Sequence, residues 1–422
     1  MSAPSPEFRS SLIARFPGYY GWVVLAIGTL GMMMTVPGQT VGVSIFLDGI
    51  IVDLGLSRAH VSTLYLFGTL LGSLTLPFVG RFVDRRGPRV AVAVVAAAFA
   101  LACVWMGFVQ GAWMLLVGFT LVRALGQGAL SLISVHSVAI WFVRRRGVAI
   151  GLLGIGMAAW TATFPTLVER LIEPFGWRTT YMLLGALVAV TILPLGAVLL
   201  RDRPERYGVV VDGGTAPAKG ATTVPEAAYR PAEARATRTY WLFLAGLWLG
   251  SNLGTGLAFH HYGILAAGGL DRAAAAAAFV PLGILSAVGN LGAGALFTRV
   301  PPRVLLTVNL LLLGTALVMA GRVAGAEVVW IYGAVLGLRS GMYTALEGNA
   351  FVHYFGRAHI GAIRGQVATA LVVGSSLGPL LFALGLDAFG DYAPVLDLAS
   401  VPVFALAVAA LFLRPYREGR VR

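Results

Sequence analysis

Gly80-Arg81-Phe82-Val83-Asp84-Arg85-Arg86-Gly87-Pro88-Arg89 is a charged decapeptide set between two uncharged runs, and its reading decides the fold. Residues 61–79 before it and 90–109 after it carry no Asp, Glu, Lys or Arg. A helix rises 1.5 Å per residue, so about twenty apolar residues cross a hydrocarbon core of roughly 30 Å. The decapeptide is then the turn of a transmembrane helical hairpin, with Gly80 and Gly87 supplying the freedom for a tight reversal.

The same pattern extends outward over the chain. Of 422 residues 58% are hydrophobic and 12% charged, too few charges to cover a water-facing surface of that size. Apolar runs place twelve helices at 19–47, 57–81, 88–109, 112–142, 147–171, 177–200, 239–267, 272–298, 303–322, 327–354, 361–387 and 393–413. They lack the ten-residue polar/apolar alternation of a membrane barrel. The expected fold is an all-α membrane protein. Residues 1–18 contain three prolines and no long apolar core, so they read as a tail and not as a cleaved signal. Cys103 is the single cysteine, which excludes an intramolecular disulfide and a cysteine metal cluster. No cofactor and no metal are expected, and no enzyme active site: clustered His, Asp or Glu at a membrane face are missing from the sequence.

A net charge of +13 invites a nucleic-acid reading, but its placement argues otherwise. Arg58, Arg170, Arg178, Arg272 and Arg322 fall on one side of the membrane, Arg123 and Arg339 fall inside spans, and the remaining Lys and Arg lie on the side of both termini. The positive-inside rule therefore places both termini in the cytoplasm and accounts for the basicity without nucleic acid.

Shifted by about 214 residues, the sequence matches its own punctuation. Leu56-Ser57-Arg58-Ala59 falls on Leu270-Asp271-Arg272-Ala273, with Ser57 and Asp271 as helix N-caps. Gly80, Arg85, Pro88 and Arg89 fall on Gly294, Arg299, Pro302 and Arg303. Trp141-Phe142 before Arg144 falls, one residue out of step, on Tyr354-Phe355 before Arg357. Pro165 and Phe175-Gly176 fall on Pro379 and Phe389-Gly390. The chain thus divides into a tail (1–18), a six-helix bundle (19–200), a polar linker rich in Pro, Gly and Ala (201–238), a second bundle (239–413) and a tail (414–422). Two bundles on a slack tether suit alternating access around a midplane site.

The decapeptide at 80–89 resembles the signature loop of the major facilitator superfamily: glycine, two apolar positions, aspartate, arginine, glycine, then basic residues. The resemblance covers essentially the whole chain and implies the major facilitator fold of two pseudo-symmetric six-helix bundles. It also implies a gating loop of Gly80, Asp84, Arg85, Gly87 and Arg89, in which Asp84 offers charge to a helix N-terminus or an arginine. A solvated basic loop obeying the positive-inside rule would look similar. In the second half Thr298 stands where the aspartate would fall. Tyr20-Gly21-Trp22-Val23-Val24, Leu56-Ser57-Arg58-Ala59, Trp141-Phe142-Val143-Arg144-Arg145-Arg146-Gly147, Phe175-Gly176-Trp177-Arg178 and Gly256-Leu257-Ala258-Phe259-His260 are similar to bacterial members of the monocarboxylate-transporter-like and oxalate/formate-antiporter-like branches. Those branches often carry a substrate-binding arginine in the eighth helix, which here (273–297) is free of charge.

Three charges fall well inside spans: Arg123 on the fourth helix, Arg339 and Glu347 on the tenth. Each costs roughly 2.5–3.5 kcal/mol at mid-span and needs a partner or a wet cavity. In this superfamily both helices line the central cavity. Tyr343 shares the face of Arg339, and Gln127 and Ser134 share the face of Arg123. The expected substrate-binding set is Arg339, Tyr343, Arg123, Gln127 and His260; a structural ion pair of Arg339 with Glu347 or with another helix is the alternative. Glu347 and His260 are the expected proton-coupling groups. His261 reads as structural, and His136 as a packing or interfacial residue.

The leading expectation is a secondary active transporter of a small organic anion, such as a monocarboxylate, coupled to protons or to exchange. Two arginines against one glutamate favour an anion, which guanidinium can clamp through two parallel bonds. The alternative is proton-coupled export of drugs or other hydrophobic compounds. Expected partners are a small anionic substrate, the lipid bilayer and protons, with a monomer in a bacterial inner membrane.

Overall fold

The computed structural model describes residues 11–142, 145–213, 229–297, 299–323, 325–356 and 359–412, and every regular element among them is helical. Arg144, Thr298, Arg357 and residues 214–228 of the 201–238 segment lie outside the described residues. The chain is an all-α membrane protein: nine segments among the described residues are long and apolar enough to cross a bilayer. Two of them, Arg58–Gly107 and Arg146–Leu199, run for 50 and 54 residues. Twelve crossings follow if each of these contributes two and Ala326–Phe355 contributes one.

The helices are α1 (Gly21–Met33), α2 (Thr40–Leu54), α3 (Arg58–Ser73), α4 (Leu76–Gly107), α5 (Ala112–Val122), α6 (Ser131–Trp141), α7 (Arg146–Val190), α8 (Ile192–Leu199), α9 (Arg238–Phe259), α10 (His261–Ala267), α11 (Arg272–Ala277), α12 (Phe279–Leu296), α13 (Pro302–Ala320), α14 (Ala326–Phe355), α15 (Ile360–Phe389) and α16 (Tyr392–Phe412).

Several expected spans are broken where local chemistry demands it. The first does not run unbroken over 19–47: it splits into α1 and α2 around a 3₁₀ turn at Val36–Gly38, because Pro37 has no N–H to continue the ladder. Pro77 likewise follows the break between α3 and α4. The 80–89 turn is a single-residue break. Gly87 takes φ 80°, ψ 158° inside otherwise helical backbone, a conformation that favours glycine. Gly80 is helical with open space around it, so the tight reversal belongs to Gly87 alone. Gly176 makes the equivalent break in α7, at φ 71°. The two N-caps form as the sequence suggests, with Ser57 Oγ accepting from His60 N at 3.1 Å and Asp271 Oδ1 from Ala274 N at 2.7 Å.

The described residues of Met1–Leu56 and Phe67–Gly220 form one compact unit, and those of Ser57–Leu66 and Ala221–Arg422 form another. In the first, Tyr20, Val24, Trp141 and Phe142 form a buried cluster joining α1 to the end of α6. Tyr19 donates to the Trp141 carbonyl, and Tyr20 to the Leu199 carbonyl at 2.8 Å. At the far end of α2, Asp53 accepts from Trp177 Nε1 at 2.8 Å and pairs with Arg178.

The second unit carries a matching aromatic seam, with Tyr240 5.7 Å from Phe351 and Phe243 5.2 Å from Tyr354. Its tightest pair is α12 with α14. Gly333, Gly337 and Gly341 lie directly on the backbone carbonyls of Ala278, Leu282 and Ser286, where any side chain would overlap. Such one-turn glycine spacing lets two helix backbones touch without lipid or side chains between them.

Candidate functional site

Arg123 of the first unit and Arg339 of the second are both buried, and the two are held differently. Arg123 stands at the start of a π-helical stretch, Arg123–Leu130, between α5 and α6. Wide i→i+5 turns are uncommon and recur at functional sites. The guanidinium donates through Nε to Thr69 Oγ1 at 3.1 Å, and through Nη1 to the Gly38 carbonyl at 3.3 Å, to Thr40 Oγ1 at 3.4 Å and to Gln127 Oε1. The Gly38 carbonyl stands at the Pro37 break, so the interruption of the first span supplies an acceptor for this charge. Arg123 is thereby tied to α2, α3 and its own helix.

The π stretch also corrects one expectation. Each π turn takes one residue more than an α turn, so the chain beyond it is rotated by roughly 100° against an ideal α-helix. Gln127 stays with Arg123, but Ser134 turns away. It donates to the Leu130 carbonyl at 2.7 Å and fills the space beside Gly31 of α1.

Arg339 is 5% exposed on α14. Nη2 donates to the Gly250 carbonyl of α9 at 2.6 Å, while Nε has no hydrogen-bond partner. The guanidinium carbon lies 5.1 Å from the centre of the Tyr343 ring, a cation–π contact. Tyr343 donates its hydroxyl to the Leu247 carbonyl at 3.1 Å, and Asn309 Nδ2 braces the Arg339 backbone carbonyl at 2.8 Å. Among the described residues no carboxylate lies within ion-pair distance of Arg339. The positive charge acting on half-buried Glu347 is Arg364 of α15, so the alternative pairing of Arg339 with Glu347 does not form.

His260 is fully buried at the break between α9 and α10, and both ring nitrogens are engaged. A carbonyl can only accept, so Nε2–H donates to Pro379 O at 2.8 Å and Nδ1 takes the Tyr392 hydroxyl at 3.1 Å. The ring joins α9 to α15 and α16 and leaves no nitrogen facing a substrate. His261 is also buried, with Nε2 2.9 Å from the Ala275 carbonyl.

Asp84, Arg85 and Gly87 line a cavity of about 660 Å³ together with His136, Asp202 and Glu205. Asp84 and Arg85 are exposed, and Asp202 presses its carboxylate onto the Cα of Gly87. Arg89 stands apart: its Nε donates to the Ala197 carbonyl at 2.6 Å and caps the last turn of α8.

The sequence reading missed four participants. Gly250 and Gly254, one turn apart on α9, make the notch for the Arg339 guanidinium: a side chain at Gly254 would overlap Nη1, and one at Gly250 would lie 2.9 Å from Nη2. The signal available was their small-xxx-small spacing. Asp202 was read as linker, though the carboxylate following a helix end was visible. His136, read as packing or interfacial and not as part of a site, lines the cavity and interacts electrostatically with Asp84.

Among curated relatives, the oxalate:formate antiporter of Oxalobacter formigenes is 25% identical over 178 residues, and the match spans 42% of each chain. Monocarboxylate transporter 11 of Homo sapiens is 27% identical over 392 residues, spanning 89% of this chain and 79% of that one. Among solved structures, a bacterial homologue of the human lysosomal transporter Spinster, in an inward-facing and occupied conformation, superposes with a TM-score of 0.68 at 18% identity, covering 93% of this chain and 95% of that one. The family model described as Major Facilitator Superfamily matches residues 22–379, which takes in the 80–89 turn, Arg123 and Arg339; the chain belongs to the major facilitator superfamily.

Proposed function

We propose that the chain is a secondary active transporter of a small organic anion, with monocarboxylates the first class to consider, working by alternating access and coupled to protons or to exchange. One observation carries this reading: Arg339 is buried with its charge uncompensated by any carboxylate among the described residues. A lone buried cation is costly, and an anionic ligand that neutralises it gains both charge pairing and hydrogen bonds. The similarity to an oxalate:formate antiporter and a monocarboxylate transporter agrees with an anionic carboxylate class.

In this reading Arg339 and Tyr343 bind the anion, and Arg123 with Gln127 is the buried cationic group of the other unit. Glu347, against Arg364, is the proton carrier where protons are coupled. His260 serves as a brace between helices. The 80–89 turn, with Asp84 over the charged cavity, acts as a gate element on the cytoplasmic side. Both termini face the cytoplasm of a bacterial inner membrane, as the arginine distribution supports, and the working unit is a monomer.

Reconstituted proteoliposomes test the proposal. Uptake of labelled lactate, formate and oxalate is measured with an inward proton gradient and, separately, with unlabelled carboxylate inside. Accumulation of at least one anion above protein-free liposomes, driven by either gradient, is expected. Failure to move any carboxylate, together with proton-driven expulsion of a lipophilic cation such as ethidium, would replace it with the drug-export reading.

A further inference from the structure

Arg123 and Arg339 differ in what they leave unfilled. Arg123 gives its donors to Thr69, Gly38, Thr40 and Gln127, all within its own unit. Arg339 donates Nη2 to Gly250 and leaves Nε–H without an acceptor, although the residue is 95% buried. An orphaned N–H on a buried cation is rare in a folded chain, because the group was fully hydrogen-bonded in water. The surrounding groups also hold the guanidinium in one place. Gly250 and Gly254 accept it into a notch, Tyr343 lies over its face, and Asn309 fixes the backbone that carries it.

The notch borders a half-buried face of α9. Ser251, Gly254, Thr255 and Ala258 are half-buried and follow the i, i+3, i+4, i+7 pattern of one helical face, so the glycine that touches Nη1 belongs to the accessible stripe. The stripe is small and polar to apolar, without charge. It therefore offers a short ligand one charged contact, at the arginine, and neutral walls for the remainder.

Resting on the anion-transport reading above, we infer that a single carboxylate docks on the Arg339 guanidinium in the Gly250/Gly254 notch, supplying the acceptor that Nε lacks, and that the site selects short monocarboxylates over dicarboxylates. A carboxylate can accept two parallel N–H bonds from a guanidinium, whereas an ammonium offers a point charge without that planar fork. Gly254 is then a specificity-determining position: a methyl there displaces Nη1 and spoils the docking geometry without changing any charge. A second carboxylate on the ligand would meet only the uncharged stripe.

The test uses purified full-length protein in detergent and reads thermal stabilisation by acetate, lactate and succinate titrated separately. Wild type is expected to be stabilised by acetate and lactate at least tenfold more tightly than by succinate. Arg339→Lys and Gly254→Ala should each weaken acetate at least tenfold; Gly254→Ala retains every charge and so remains informative if the arginine variant folds poorly. Wild-type-like acetate binding in both variants would overturn the inference while leaving anion transport standing. Succinate bound as tightly as acetate would overturn the selectivity. If wild type responds to no carboxylate but to ethidium, the transport reading itself fails, and the docking site with it.

Discussion

Arg339 Nη2 donates to the Gly250 carbonyl at 2.6 Å, so the buried cation of α14 is held by the backbone of α9 and by no acidic side chain among the described residues. A backbone carbonyl orients a guanidinium without neutralising it. That arrangement keeps the charge available, and Tyr343 beneath the guanidinium stabilises it in place.

Tyr343 should therefore matter through its ring more than its hydroxyl. Tyr343→Phe removes the bond to the Leu247 carbonyl and keeps the ring at 5.1 Å from the guanidinium. A loss of about 0.5–1.5 kcal/mol is expected, the usual net worth of one hydrogen bond. Tyr343→Leu also removes the cation–π contact, adding about 0.5–2 kcal/mol. Thermal melts of the purified variants should rank Leu below Phe below wild type.

The glycines of α14 give an internal contrast. Gly341 lies on the Ser286 carbonyl of α12, whereas Gly348 has open space around it. Gly341→Ala forces the seam apart and should cost about 1–3 kcal/mol, as overpacking does. Gly348→Ala removes a flexible residue from a helix interior and should gain about 0.5–1 kcal/mol. Opposite shifts in melting temperature are the expected outcome.

Gly87 carries two constraints that a double-mutant cycle separates. Its φ of 80° strains any side chain, and the Asp202 carboxylate occupies the space where one would stand. Gly87→Ala should cost about 1–3 kcal/mol. Adding Asp202→Ala should recover part of that loss, since only the overlap is relieved. A coupling of at least about 0.5 kcal/mol between the two sites is expected from denaturation of all four proteins.

Asp53 serves two partners, Trp177 Nε1 and Arg178. The Arg178 and Asp53 side chains are 33% and 44% exposed, so solvent screens the pair and its charge is worth about 0.2–1 kcal/mol. Asp53→Asn keeps an acceptor for the indole and should lose no more than that. Asp53→Ala loses both contacts and should fall further. The Asn effect should shrink in 1 M salt, where the screening length is about 3 Å.

Much of this scaffold was legible in the sequence because it rests on local rules. Gly87, Gly176 and Gly390 each take a positive φ where the repeat or the motif had marked them. Ser57 and Asp271 cap their helices for the reason that side-chain oxygens do so anywhere. The π stretch at Arg123–Leu130 was not legible, since one widened turn leaves no mark in residue type and shifts every face beyond it. For the same reason Ser134 was placed on the wrong face. The partners of the buried charges were hidden as well. Sequence spacing set Glu347 near Arg339 on one helix, while packing set Arg364 of the next helix against it. Nothing in a glycine announces which neighbour will fill its missing side chain, so Gly250 and Gly254 emerged only with the guanidinium between them.

The central claim is that this chain binds an anion by its charge. Acetate and acetamide have nearly the same size and shape and differ in that charge, so their affinities for the purified wild-type protein, measured side by side by calorimetry at neutral pH, test it most directly. Acetate is expected to bind at least tenfold, about 1.4 kcal/mol, more tightly than acetamide. Equal affinities, or tighter binding of acetamide, would contradict the account.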